Sequence, residues 1–200
     1  MGDLFWPDNE GRDDHCWYGV AVMGYVVVWG RLLVLGVFLV SLAGKVRGRQ
    51  AFREFVVATG TLLAVERRWA RWLGSLAVVA EVGIVVLVAV PGTVPLGFAL
   101  AAVTLGGFGY ALVRAMGRGK GASCRCFGAS EKPVGRHHVI RNVVLIGVAL
   151  VAMGATFAGT SGGVELPGVV IAAVAAAVCV LVVVRLDDIA ELFRPAPVGR

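Results

Sequence analysis

The chain has 200 residues, of which 58% are hydrophobic and 16% are charged, and its formal net charge is +6. A mean hydropathy of +0.82 excludes an ordinary soluble globular domain. The basic residues flank long apolar segments and form no nucleic-acid-binding motif, so the positive charge does not indicate a nucleic-acid partner. The composition predicts an all-α, polytopic membrane helical bundle that is surrounded by the lipid bilayer.

Residues 1–17 form an acidic N-terminal segment that lacks the basic start of a cleavable signal, so we expect the first apolar segment to be retained. Five apolar segments follow, at residues 18–43, 72–91, 95–116, 139–158 and 166–185. Each approaches or exceeds the ~20 residues that a helix needs to cross the hydrocarbon core. The predicted organisation is a transmembrane domain over 18–158, a further transmembrane helix over 159–186 and a tail over 187–200.

Most basic residues fall in two loops. Seven lie between the first and second spans, with Lys45 counted among them, and seven lie in or beside the third-to-fourth loop, with Arg141 counted among them. The two other loops contain neither lysine nor arginine. Since cytoplasmic loops are enriched in these residues, the pattern predicts five crossings of the plasma membrane, with the N-terminus outside and the C-terminus cytoplasmic.

The first two spans are joined by GRQAFREFVVATGTLLAVERRW, whose apolar part, residues 55–65, is too short to cross a membrane. An interfacial helix with Phe52, Phe55 and Val56 turned toward lipid fits this pattern, and an ordinary connector fits it equally well. If the stretch did cross, every later loop would change sides.

Two charges fall inside apolar segments: Arg31 in VVVWGRLLVLG and Glu81 in LAVVAEVGIVV. A charge within the bilayer is costly unless it is paired or hydrated. The long guanidinium side chain can bridge the difference in depth, so the sequence predicts a buried Arg31–Glu81 pair between the first two helices. Such a pair can specify helix packing alone or line a quinone pocket, and separate hydration in a water-filled cleft is the third possibility.

The four cysteines differ in their neighbours. Cys179 lies among aliphatic residues and is interpreted as a packing thiol, while Cys16 is an isolated thiol in the acidic region. Cys124 and Cys126 share the basic loop sequence SCRCFG between the third and fourth spans. The surrounding positive charge favours thiolate, and a bridge across one residue is strained and labile, which suits thiol–disulfide exchange.

Metal binding is an alternative chemistry for this loop, because His137 and His138 follow Cys126 closely in the sequence. Two thiolates and one or two imidazoles could then meet at one ion. Cys-x-Cys with adjacent histidines is not the usual spacing of a structural zinc site, however. Reduced structural thiols are the third interpretation, and the residues alone leave all three open.

CRCFG, followed by Arg141-Asn142 at the start of an apolar helix, resembles the methylamine utilisation protein MauE family within the wider DoxX-like group. GRLLVLGVFLVSLAGKVRG and the later helix with Glu81 are similar to the first half of such proteins. The resemblance covers roughly residues 24–158. It implies a four-helix core, with the fifth span outside it, and Asn142 capping or packing the fourth helix.

The resemblance implies a membrane redox protein that assists maturation of secreted, disulfide-rich clients together with a thioredoxin-like protein. The activity it implies is that of a thiol–disulfide oxidoreductase, for which a quinone is a possible cofactor. Cys124 and Cys126 would be the exchange pair, and Arg141 would approach the thiolates or an electron acceptor. The supporting residues are Arg125, Phe127, Gly128, Arg141 and Asn142.

A site that oxidises secreted proteins should face outside, where disulfides persist, whereas the charge distribution places Cys124 and Cys126 on the cytoplasmic side. Either residues 55–65 insert and reverse the later loops, or the protein handles electrons from the cytoplasm; we retain the charge-derived orientation. Two other functions stay open. One is a non-catalytic scaffold or chaperone-like bundle, and the other is a metal-handling protein that uses Cys124, Cys126, His137 and His138.

Overall fold

Six α-helices make up the described part of the chain in a computed structural model of the protein, which covers residues 10–118, 136–158 and 165–192. In chain order they are α1 (Glu10–Val46), α2 (Arg49–Leu63), α3 (Arg67–Ala89), α4 (Val94–Gly117), α5 (Arg136–Phe157) and α6 (Leu166–Leu192), with a 3₁₀ turn at Pro91–Thr93. No strand occurs in these three ranges. The predicted all-α class is confirmed.

Five of these helices, all except α2, are long and apolar enough to cross a membrane. The segments are Val22–Val46, Arg67–Ala89, Pro91–Gly117, His137–Phe157 and Leu166–Leu186. Many of their large apolar side chains lie exposed on the outside of the bundle, as expected for a surface that faces lipid. The predicted number of spans is confirmed.

The main core is formed by α1, α3, α4 and α5, with a smaller contribution from α6. Helix α1 contacts α3 and α5, and α4 contacts the same two helices, so the four form a closed ring. Helix α6 packs mainly against α1 and is the least buried of the five spans. Fully buried members of the core include Ile84, Val88, Phe98, Ala101 and Ala149.

Helices α3 and α4 form a tight antiparallel hairpin. They are joined by Val90 and the 3₁₀ turn Pro91–Thr93, and the Thr93 hydroxyl donates to the Leu87 carbonyl at 2.8 Å. A Cβ atom added to Gly97 would lie 2.5 Å from Val88 Cγ2 and 2.8 Å from the Val88 backbone nitrogen. Glycine at residue 97 therefore lets the two backbones approach closely, as small residues do in membrane bundles.

The stretch that was predicted to be interfacial or a connector forms the helix α2. Phe55 and Val56 are 3% and 4% exposed, and they pack over Gly74 of α3, so the prediction that they face lipid is wrong. The missing side chain of Gly74 leaves room for these residues against α3. Val57 lies exposed. With 15 residues, α2 is not one of the candidate spans, so the alternative in which this stretch crosses the membrane receives no support.

Candidate functional site

Two polar residues of α1 lie one helical turn apart and meet a carboxylate of α3. Ser41 and Lys45 have the i, i+4 spacing that places side chains on one face of a helix. Lys45 Nζ donates to Ser41 Oγ at 2.8 Å, and Ser41 Oγ donates to Glu81 Oε1 at 3.0 Å. Lys45 also forms a direct ion pair with Glu81 Oε1. We call these three residues the polar cluster.

The Lys45–Glu81 pair is withdrawn from the surface of the bundle, since each side chain is only 2% exposed. The ammonium lies 4.7 Å from the ring centre of Phe55 and 5.9 Å from that of Phe108, within the range of cation–π attraction. Each charge depends on the other, because either one left alone would keep its full desolvation cost. The polar residues of the site thus come from α1 and α3, and α2 and α4 contribute the aromatic rings beside the ammonium.

A cavity of about 30 Å³ lies beside this pair. Its polar lining comes from three helices and consists of Ser41, Lys45, Glu81, Arg141 and Asn142. The last two belong to the second turn of α5 and are both buried. A cavity of this size holds about two water molecules and is too small for an aromatic ring.

Three of the residues singled out in the sequence, Glu81, Arg141 and Asn142, therefore meet in one cavity. The sequence prediction missed Ser41 and treated Lys45 as a loop charge. Lys45 and Arg141 both lie within helices and are buried, so neither is a loop charge. The sequence did contain a signal for this cluster, because Ser41 and Lys45 are two polar residues one helical turn apart at the end of an apolar helix.

Arg31 does not pair with Glu81, contrary to the prediction. Its Nε donates to the Val88 carbonyl at 2.7 Å, and its Nη2 donates to the Ala89 carbonyl. These carbonyls belong to the last turn of α3, where helix carbonyls lack intrahelical partners and a cation is favoured by the helix dipole. Val88 is seven residues beyond Glu81, or roughly 10 Å along the axis, and Lys45 already occupies the carboxylate.

His137 and His138 lie at the start of α5, with ring centres 4.1 Å apart, and His138 is buried. Within the described ranges, no group of three or more His, Cys, Asp or Glu residues could hold a metal ion. The proposed metal set also needs Cys124 and Cys126, which lie outside those ranges. The metal alternative stays a prediction.

The predicted exchange pair and its nearest neighbours, Cys124, Arg125, Cys126, Phe127 and Gly128, lie outside the described residues. The side chain of Cys16 also lies outside them. Cys179 is half-buried and packs against the main core, as predicted. The structure thus defines the cavity lined by α4 and α5, and the sequence places the two cysteines in the segment that joins these helices.

Fold and site together define a multi-pass helical membrane protein with an ion pair and a small polar cavity inside its bundle. The chain belongs to the methylamine utilisation protein MauE family, whose sequence profile matches residues 23–155. This match includes every residue of the polar cluster, and it confirms the resemblance drawn from the sequence. No curated protein and no solved structure matches the chain.

Proposed function

We propose that this protein is an integral membrane thiol–disulfide redox protein that assists disulfide formation or electron supply during the maturation of secreted proteins. Its membership of the MauE family and the closely spaced Cys124 and Cys126 support the proposal. The observation that carries it is the position of the polar cavity. Two of the helices that line the cavity, α4 and α5, are the ones that the cysteine-containing segment connects.

Chain connectivity limits the distance between the thiols and this cavity. Cys124 follows Arg118 by six residues, which span at most ~22 Å even when fully extended. Leu112 and Arg141 line the cavity, and each lies five residues, or roughly 8 Å, from the helix end that borders the segment. The segment is therefore long enough to let its thiols approach the cavity while the helices keep the arrangement described.

In the proposed reaction, a thiolate of Cys124 or Cys126 attacks a disulfide of a partner protein and forms a mixed disulfide, which the second thiol then resolves. Two electrons pass from the dithiol to the partner disulfide, or in the opposite direction when the partner is reduced. Arg125 favours the thiolate form of both neighbours. Arg141 adds a positive charge at the cavity, to which a thiolate or another electron-rich group is attracted.

The proposed partners are a thioredoxin-like protein and a secreted client. A quinone pocket lined jointly by Arg31 and Glu81 receives no support, because Arg31 caps the end of α3 while Glu81 lies beside Lys45. The cavity at Glu81 is also too small for a quinone ring. The proposed reaction passes electrons between protein disulfides.

We also infer a DoxX/MauE-like four-helix core made of α1, α3, α4 and α5, with α6 as an added span; the closed ring of helix contacts supports this arrangement. The proposed location is the plasma membrane, with the N-terminus outside and the C-terminus cytoplasmic. Exposed arginines support this orientation, since they cluster where α1 ends and α3 begins. These arginines are Arg47, Arg49, Arg53, Arg67, Arg68 and Arg71.

Sidedness of the thiols is tested by labelling intact cells and opened vesicles with a membrane-impermeant thiol reagent. The proposed orientation predicts that Cys124 and Cys126 react only in opened vesicles, after reduction. Labelling of Cys124 or Cys126 in intact cells, measured in a Cys16→Ser variant because Cys16 is proposed to lie outside, would reverse the orientation and place the exchange site where secreted clients form disulfides.

The exchange chemistry is tested by the variants Cys124→Ser and Cys126→Ser. Each is expected to abolish the mixed disulfide that acid quenching and non-reducing electrophoresis trap, while the protein remains inserted in the membrane. Cys179→Ser is the matched control, since this thiol packs against the core. Normal client oxidation in the double variant Cys124→Ser/Cys126→Ser would refute the redox function and favour a scaffold.

A further inference from the structure

Three exposed arginines lie where α1 gives way to α2. Arg47 belongs to the link between the two helices, and Arg49 and Arg53 are one helical turn apart on α2. Within the described ranges, none of the three forms an ion pair. Glu54 is the one acidic residue in the sequence of α2, so three positive charges and one negative charge leave a net charge of +2. We call these three residues the arginine group.

Contacts between α2 and α3 define the depth of the arginine group in the bundle. Val56 packs over Gly74, where an added Cβ atom would lie 3.2 Å from the valine side chain. Further along α2, a Cβ atom added to Gly60 would lie 3.1 Å from that of Ala70. Later residues of α2 thus meet earlier residues of α3, so the two helices run antiparallel.

This register places the arginine group beside the apolar middle of α3 and not at its basic start. Counted back from the two contacts at an equal rise per residue, Arg53 and Arg49 are level with roughly residues 77–81 of α3. The Lys45–Glu81 ion pair agrees with this level, because Lys45 lies one residue before the end of α1. The stretch 77–81 begins ten residues, or roughly 15 Å, beyond the first residue of α3.

The outer surface of the bundle is apolar at this level. Leu76 and Val79 of α3 are 64% and 66% exposed, and Val57, one turn beyond Arg53 on α2, is 61% exposed. Because α3 is long and apolar enough to cross the membrane, side chains at this depth face lipid. A guanidinium group in such surroundings is costly unless an anion or water meets it.

We propose that Arg47, Arg49 and Arg53 form a binding site for the phosphate group of an anionic phospholipid, which the three guanidinium groups draw inward beside α2. A guanidinium group binds phosphate oxygens through two parallel hydrogen bonds, and the bilayer supplies this anion at the surface of the bundle. The net charge of +2 favours a lipid whose headgroup carries no positive charge. Exposed Val57 then contacts the acyl chains. This site does not depend on the proposed thiol–disulfide function.

The first test measures phospholipid binding to the full-length protein in detergent micelles by native mass spectrometry. Phosphatidylglycerol is compared with phosphatidylcholine of the same acyl chains, and we expect phosphatidylglycerol to bind more tightly. The variant Arg47→Gln/Arg49→Gln/Arg53→Gln should bind phosphatidylglycerol about 100-fold more weakly, since each arginine near a lipid surface contributes a factor of about five. Equal affinity of the unaltered protein for the two lipids would overturn the proposal.

The matched control is Arg67→Gln/Arg68→Gln/Arg71→Gln, which removes the same charge from the start of α3. One of these arginines, Arg68, is already paired with Glu66 at 3.1 Å. We expect the control variant to lose no more than about fivefold in affinity for phosphatidylglycerol. An equal loss in the two triple variants would show a diffuse attraction between charges and would contradict a localised site.

A second variant, Arg47→Lys/Arg49→Lys/Arg53→Lys, keeps every positive charge that directs membrane insertion. Lysine cannot hold a phosphate through two parallel hydrogen bonds, so we expect phosphatidylglycerol to bind about tenfold more weakly. Unchanged affinity in this inserted variant would refute recognition by the guanidinium groups.

Thermal unfolding with added inorganic phosphate or phosphatidylglycerol distinguishes a free anion from a lipid. We expect phosphatidylglycerol alone to raise the melting temperature, and the rise should be lost when the arginine group is replaced by glutamine. Equal stabilisation by inorganic phosphate would contradict a lipid site. None of these measurements involves thiol chemistry, so failure of the lipid site and failure of the redox function are distinguishable.

Discussion

Arg31 and Glu81 both lie within apolar helices of the bundle, and the structure stabilises these two charges in different ways. Arg31 is held by the main chain, through the Val88 and Ala89 carbonyls at the end of α3. Glu81 is held by side chains, through Lys45 and Ser41, and it borders a cavity. Arg31 is tied to the helix end by its Nε and Nη2 groups, whereas Glu81 uses only Oε1, and its Oε2 has no partner among the described residues. The two charges thus differ in their surroundings, since Glu81 borders a cavity and Arg31 caps a helix end.

Breaking the side-chain pair should have the largest effect on stability. Lys45→Met leaves the Glu81 carboxylate buried without its counter-ion and should lower the free energy of unfolding by about 3–5 kcal/mol. The double variant Lys45→Met/Glu81→Leu removes both charges and should recover most of this loss. Chemical unfolding in mixed micelles measures both. Equal destabilisation in the single and double variants would show that the pair contributes by packing and not by charge.

A double-mutant cycle between Arg31 and Glu81 sharpens the contrast. Arg31→Met should cost about 2–3 kcal/mol, since hydrogen bonds from a charged donor to two carbonyls are lost. Because Arg31 and Glu81 do not share a partner, their effects should add to within about 0.5 kcal/mol, whereas Lys45 and Glu81 should be strongly coupled. Strong Arg31–Glu81 coupling in the same unfolding assay would restore the ion pair that the sequence predicted.

The end of the bundle at Arg31 should also be sensitive to added volume. In Gly97→Ala the new methyl group meets the backbone of Val88, the residue whose carbonyl Arg31 binds, and should cost about 1–3 kcal/mol. Gly107→Ala, on the same helix, meets no atom within 4 Å and is the matched control, with little or no loss expected. Thermal unfolding of the two variants tests this, and equal melting temperatures would contradict a tight α3–α4 contact.

A smaller effect is expected at Tyr25, which joins α1 to the start of α6. Its hydroxyl accepts a hydrogen bond from the Glu165 amide at 3.2 Å. Tyr25→Phe keeps the ring and removes only this bond, so the loss should be about 0.5–1.5 kcal/mol. The effect should show as earlier protease cleavage near α6 with the rest of the bundle intact. Cleavage that is unchanged would mean that α6 is held by apolar packing alone.

The spans were predictable because each is a long apolar run, and the length required to cross a bilayer is fixed. The extra helix α2 was predictable as an amphipathic element. The face that α2 buries was not predictable, because the packing of that face depends on Gly74 of a different helix. Partners of the intramembrane charges were not predictable for the same reason: Glu81 and Lys45 are 36 residues apart and meet only through packing. The spacing of the charges suggested Arg31 as the partner of Glu81. It could not show that main-chain carbonyls at the end of α3 bind Arg31 instead.

Some of the proposed site rested on the family resemblance alone. Nothing in the apolar context of Arg141 and Asn142 shows that they face a cavity, and the resemblance singled them out before the structure placed them beside Glu81. Lys45 was missed because a lysine near the end of a span ordinarily extends toward the interface. Here Phe55 of α2 lies near its ammonium, and the side chain stays inside the bundle.

The short turn between α3 and α4 has a consequence for how the protein is made. Only four residues, 90–93, separate α3 from α4, so we expect the two helices to enter the bilayer during biosynthesis together, as a helical hairpin. Arg67 and Arg68 at the start of α3 and Arg114 near the end of α4 lie at the same end of this hairpin, and in the proposed orientation they would stay on the side from which insertion began. A charge reversal at one of these sites should misplace both helices in the translocon, and with them the segment that carries the two cysteines.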